Sequence, residues 1–90
     1  MKWSSLIYNT IITSITQFNS IPFTIIDVTI SSGVGNDGEV TTLDFTHFSL
    51  LQQINILENS LNGVRKIITK GLYHLTEINI GENSLQAIQA

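Results

Sequence analysis

The stretch INILENSLNGV, residues 54–64, recurs almost letter for letter as INIGENSLQAI, residues 78–88. Leu51, Ile54, Ile56, Asn59 and Leu61 of the first copy correspond to Leu75, Ile78, Ile80, Asn83 and Leu85 of the second. Both therefore spell L-x-x-L-x-L-x-x-N-x-L, with isoleucine at two leucine positions. A period of about two dozen residues marks a unit that cannot bury its apolar face alone and does so against its neighbours. The apolar-x-apolar step in each copy puts two side chains on one face of a short strand and the residue between them on the other. Copies placed side by side then form a parallel sheet over a shared interior.

Working outward, Ile25, Val28 and Ile30 repeat the first half of the motif, with Gly33 and Gly35 standing where Asn and Leu are expected. Trp3, Leu6, Tyr8 and Ile11 give a looser copy. The equivalent positions Leu6, Val28, Ile54 and Ile78 thus follow one another at nearly even steps, inside the usual span of repeat units. The intervening segments repeat as well. Val40, Leu43, Phe48 and Leu51 map at the same offset onto Val64, Ile67, Leu72 and Leu75, and Ile15, Phe18 and Phe23 precede the first three of them by nearly the same step. The runs VTTLDFTHF and VRKIITKGL are β-branched and aromatic and lack the i, i+3, i+4, i+7 spacing of a helix. They predict extended or 3₁₀ segments opposite the sheet.

With these motifs in view, the chain resembles the leucine-rich repeat family. The phrase INIGENSL, residues 78–85, is similar to one used by its BspA-like surface-protein subgroup, although the chain has no cysteine and its single proline is Pro22. The resemblance implies a leucine-rich-repeat solenoid: a β-rich right-handed coil with a short parallel sheet, little helix and four repeats of roughly 22–26 residues each. A single array is expected over residues 1–90, with motif copies near 3–13, 25–35, 51–61 and 75–85. Asn59 and Asn83 are implied to be structural, each buried amide satisfying backbone groups where the chain leaves its strand. The residues between the apolar positions would form the partner-binding face. In three copies these are Asp27, Thr29 and Ser31, then Gln53, Asn55 and Leu57, then Glu77 and Asn79, with Ser5, Ile7 and Asn9 in the loosest copy.

That face is polar and free of Arg and Lys, which suits hydrogen bonding to a protein or peptide. The expected function is a noncatalytic protein–protein interaction module. The alternative is a structural or adhesin-like surface repeat that self-stacks, since neither end of the array carries the polar cap that closes a terminal repeat. Uncapped ends also predict a fragment of a longer array, or self-association through those ends.

Composition narrows the partners. Net charge is −3, and the basic residues are Lys2, Arg65, Lys66 and Lys70, which offers no broad positive face for nucleic acid. The absence of cysteine removes disulfides and thiolate metal sites. The amino-terminal run MKWSSLIYNTIITSITQ has no continuous apolar core of a signal peptide, and nothing approaches the ~18 apolar residues of a membrane span. Composition assigns no compartment.

Other motifs yield to simpler readings. GVGNDG, residues 33–38, spells G-x-G-x-x-G, but a dinucleotide loop needs a following helix, and EVTTLDFTH reads as strand. Asp37 and Glu39 would repel phosphate, and they lack the oxygen-rich spacing of a calcium loop. Asp44, His47 and Ser49 lie too close along one extended run to converge as a triad. His74 has no partner at metal-ligand spacing, and Arg65, Lys66 and Lys70 read as a solvated outer face. The chain is expected to be no enzyme and to need no cofactor or metal.

Overall fold

A computed structural model describes residues 9–88 of the chain. Six short strands are ordered β1 (Asn9–Ile12), β2 (Asp27–Ile30), β3 (Thr42–Asp44), β4 (Gln53–Ile56), β5 (Lys66–Ile68) and β6 (Glu77–Ile80), with a 3₁₀ helix at Ile15–Ser20. They make a four-stranded parallel sheet in the order β1-β2-β4-β6 and a two-stranded parallel sheet of β3 and β5. Each excursion from one strand of the larger sheet to the next crosses the far side of the core, which keeps the pairing parallel.

Register follows the apolar alternation. Val28 pairs with Ile54 and Ile54 with Ile78, while Ile30 pairs with Ile56 and Ile56 with Ile80. In β2 and β4 the inward pairs, Val28 with Ile30 and Ile54 with Ile56, are buried and their neighbours half-buried. Leu43, Phe45, Phe48, Leu51 and Val64 close the core from the other side. Phe18 of the 3₁₀ helix meets Phe45 and Phe48 edge-to-face at 5.1 and 5.4 Å, and such pairs add to the burial of each ring. Gln17 sets the start of that helix: its Oε1 accepts from the backbone N–H groups of Thr13 and Ser14 at 2.7 and 2.9 Å.

The expected array of four repeats is corrected in three places. First, β1 pairs Thr10 with Val28 and Ile12 with Ile30, whereas the looser copy sets Leu6 opposite Val28. Leu6 and Thr10 are an even number of positions apart, so a slip between them preserves inward and outward parity and alternation alone does not distinguish the two registers. Ile12, fully buried, decides it. Trp3, Leu6, Tyr8, Ser5 and Ile7 lie outside the described residues. Second, the connecting segments take the extended and 3₁₀ forms expected of them but do not repeat one another: residues 15–20 form a 3₁₀ helix where 42–44 and 66–68 form strands. Third, the last copy enters the shared interior only in part: Leu75 and Leu85 pack against the core, but Ile78 and Ile80 are 46% and 56% exposed. The radius of gyration is 12.9 Å, against about 12 Å for a compact domain of this length. The described residues form a small compact domain of two parallel sheets and one short helix, not a leucine-rich-repeat solenoid.

Candidate functional site

The turn that repeats after β4 and β6 shows what its residues do. Asn59 and Leu61 take φ of 55°, Asn83 and Leu85 take 58° and 56°, and the corresponding Gly33 and Gly35 take 87° and 76°. Two left-handed residues, separated by one other, re-aim the chain each time. Asparagine tolerates that conformation better than other side-chain-bearing residues and glycine adopts it freely, which accounts for Asn and Gly exchanging there.

The side chains of Asn59 and Asn83 are exposed, in contrast to the expected buried amides. Neighbouring residues satisfy the turn instead. Asn36 Nδ2 donates to Asn59 O at 2.8 Å, and its Oδ1 accepts from Asn62 N at 2.8 Å. Asn62 repeats the arrangement one layer on, donating from Nδ2 to Asn83 O at 2.8 Å and accepting from Gln86 N at 3.0 Å. Beneath them Ser60, fully buried, donates to Leu57 O at 2.6 Å, and Ser84 Oγ donates to the same carbonyl at 2.7 Å. The serine ladder was written in the sequence as the shared ENS of the two copies. Asn62 has no such signal, because its counterpart in the last copy is Gln86.

The face expected to bind a partner lies over the larger sheet. Asp27, Gln53 and Glu77 stand in one row and Thr29, Asn55 and Asn79 in the next. Ser31 and Leu57 follow the ends of β2 and β4, where their backbone N–H groups donate to Ile12 O and Ile30 O at 2.9 and 3.0 Å. In β4 and β6 its polar side chains bond one another: Asn79 Nδ2 donates to Asn55 Oδ1 at 2.8 Å and to Glu77 Oε2 at 2.9 Å, and Gln53 Nε2 donates to Asn55 Oδ1 at 3.1 Å. A shallow depression of about 650 Å³ along this face has Glu58 and Glu82 at its margin and no aromatic residue.

A second feature lies at the β6 end of the core. Glu77 N and Gly81 N donate toward β4, to Gln52 O and Ile56 O at 3.3 and 2.7 Å. Strand groups alternate sides, so Ile78 and Ile80 turn their N–H and C=O groups away from β4. Among the described residues β6 has no ladder neighbour on that side. The same two residues carry exposed aliphatic side chains, and together with Ile54, Ile56, Ile67, Leu85 and Ile88 they line a cleft of about 410 Å³. Arg65 and Lys66 stand at its margin.

No family model, curated protein or solved structure matches this chain. Membership of the leucine-rich repeat family, and of its BspA-like subgroup, is corrected accordingly. Apolar-x-apolar followed by an asparagine suits a parallel strand leading into a left-handed turn on physical grounds alone, so two good copies of it do not define a family. The expected interaction module reading partners through the strand face of such repeats falls with it, and so does the self-stacking surface repeat.

The remaining motifs are placed plainly. Asp44 Oδ1 accepts from Thr46 N and Thr46 Oγ1 at 2.9 and 2.5 Å. These hydrogen bonds, the side-chain one first, hold the carboxyl of this fully exposed residue below its ordinary value. The His47 ring packs edge-on against Phe48 at 5.5 Å and Phe23 at 6.3 Å. In GVGNDG the three glycines have positive φ, and Asn36 is held by the turn of the next layer. Among the described residues no three His, Asp or Glu side chains form a metal-ligand group, and no helix is long and apolar enough to cross a membrane.

Proposed function

We propose that the chain is a noncatalytic protein-binding domain that accepts an extended segment of a protein or peptide along the outer edge of β6. The observation that carries this reading is the coincidence of outward-facing backbone groups and exposed aliphatic side chains at Ile78 and Ile80, beside an apolar cleft. An added strand supplies backbone hydrogen bonds for affinity, and its alternate side chains fill pockets for specificity. It also removes the hazard of an exposed aliphatic edge.

A fluorescein-labelled decapeptide alternating isoleucine with threonine and asparagine tests it by fluorescence anisotropy. Saturable binding is expected, weakened at least about tenfold by Ile78→Asn or Ile80→Asn, because a buried amide without a partner costs on the order of 1–3 kcal/mol. Binding that is indifferent to both substitutions refutes the edge as the site. The noncatalytic part has its own test. A hydrolase and transferase panel showing turnover that is lost in His47→Ala would replace this reading with an enzymatic one.

A further inference from the structure

We propose that the segment accepted at β6 is acidic as well as aliphatic, carrying a carboxylate that pairs with Arg65 and Lys66. This rests on the β6 edge being the binding site and adds the partner's chemistry. The cleft has two unlike walls. One is aliphatic, made by Ile78 and Ile80 of β6 with Leu85 and Ile88, and the other brings Arg65 and Lys66 from the start of β5.

Both cations are exposed. Their backbones are fixed by hydrogen bonds from Arg65 N and Lys66 N to Thr41 O at 2.7 and 3.1 Å, so the pair is presented from an anchored position. The neighbouring carboxylates stand on the polar face. Glu77 accepts from Asn79 on the polar face, and Glu58 and Glu82 border the depression on that same face. The two sides of the β6 edge therefore differ in charge: carboxylates over the polar face, cations over the cleft. A strand laid there meets favourable fields with neutral or amide side chains on the first side, and with aliphatic side chains and a carboxylate on the second. A basic segment is repelled at the cleft, and a purely aliphatic one leaves the two cations unpaired beside a newly dried surface.

The test uses three labelled decapeptides sharing one alternating isoleucine core and ending in two glutamates, two glutamines or two lysines. Light scattering of the protein alone accompanies them. The glutamate peptide is expected to bind about 5-fold tighter than the glutamine peptide at low salt, with the advantage shrinking as ionic strength rises. The lysine peptide is expected to be the weakest. Arg65→Gln combined with Lys66→Gln levels the three, whereas Ile78→Asn weakens all of them while preserving their order. Both sets of substitutions are at exposed positions, and circular dichroism establishes that each variant is folded.

Equal binding of the glutamate and glutamine peptides, or a preference that survives the double substitution, overturns the acidic partner while leaving the β6 edge intact. Failure of all three to bind overturns both readings. A dimer that dissociates on Ile80→Asn identifies the occupant as a second copy of this chain and overturns the acidic partner too.

Discussion

At the scale of single residues, the repeated turn is where chemistry is most constrained. Leu61 is fully buried although its φ is 55°, a conformation that costs a branched residue about 1–2 kcal/mol. It persists because the side chain fills the core beneath Gly35, whose own hypothetical Cβ would lie 2.7 Å from Leu61 Cδ2. Glycine at 35 and leucine at 61 are thus one packing decision. Asn59 has the same backbone conformation but an exposed side chain, so backbone preference alone governs it. Asn59→Gly is expected to leave the urea midpoint unchanged or raised, and Asn59→Val to lower stability by about 1–2 kcal/mol. Equal losses in the two variants would mean that the Asn59 amide matters through its contacts, for instance as acceptor from Asn62 Nδ2 at 3.4 Å.

At the scale of elements, adjacent layers approach closely enough to exclude a side chain. A Cβ on Gly63 would collide with the backbone of Gly38, and one on Gly81 would lie 2.5 Å from Glu58 N. Neither glycine has positive φ, so both are required for space and not for conformation. Gly63→Ala is expected to cost about 1–3 kcal/mol because backbone must move, and the midpoint of chemical denaturation reports it. A neutral outcome would show that the layers separate easily at that turn. The pairing of β4 with β6 was legible because Ile54, Ile56 and Asn59 recur at one offset, and a parallel sheet is the structure that brings such repeats together. The register of β1 was not, since Leu6 and Thr10 share parity and only the burial of Ile12 distinguishes them. The β6 edge was missed for a related reason. Ile78 and Ile80 read as core because they match Ile54 and Ile56 letter for letter. Whether an aliphatic residue is buried depends on what lies beyond it, which its own repeat does not encode.

At the scale of the whole molecule, burial is graded from the aromatic end to the β6 end. Ile25, Val28, Ile30, Phe45 and Leu51 are fully buried, Ile54 and Ile56 nearly so, and no residue of β6 is buried. Ile78 and Ile80 are already about half exposed, so detaching β6 uncovers one side of Ile54 and Ile56 but breaks few contacts of its own side chains. Separating β2 from β4 opens the core itself. Local opening free energies should therefore rise along the sheet, because each is set largely by the apolar contacts it breaks. Gly81 N donates to Ile56 O and Leu57 N to Ile30 O, chemically equivalent amides one layer apart. In native-state hydrogen exchange Gly81 is expected to exchange through a low-energy local opening, and Leu57 only through an opening close to global unfolding. Phe45→Ala, which removes a fully buried ring at a cost of about 3–5 kcal/mol, should accelerate Leu57 strongly and Gly81 far less. Equal protection at the two amides would mean that β6 unfolds only with the rest of the domain. A bound strand would then have no loosely held edge to stabilise. If the gradient holds, the acidic peptide should slow exchange first at β6, because its contacts add to the layer with the fewest of its own.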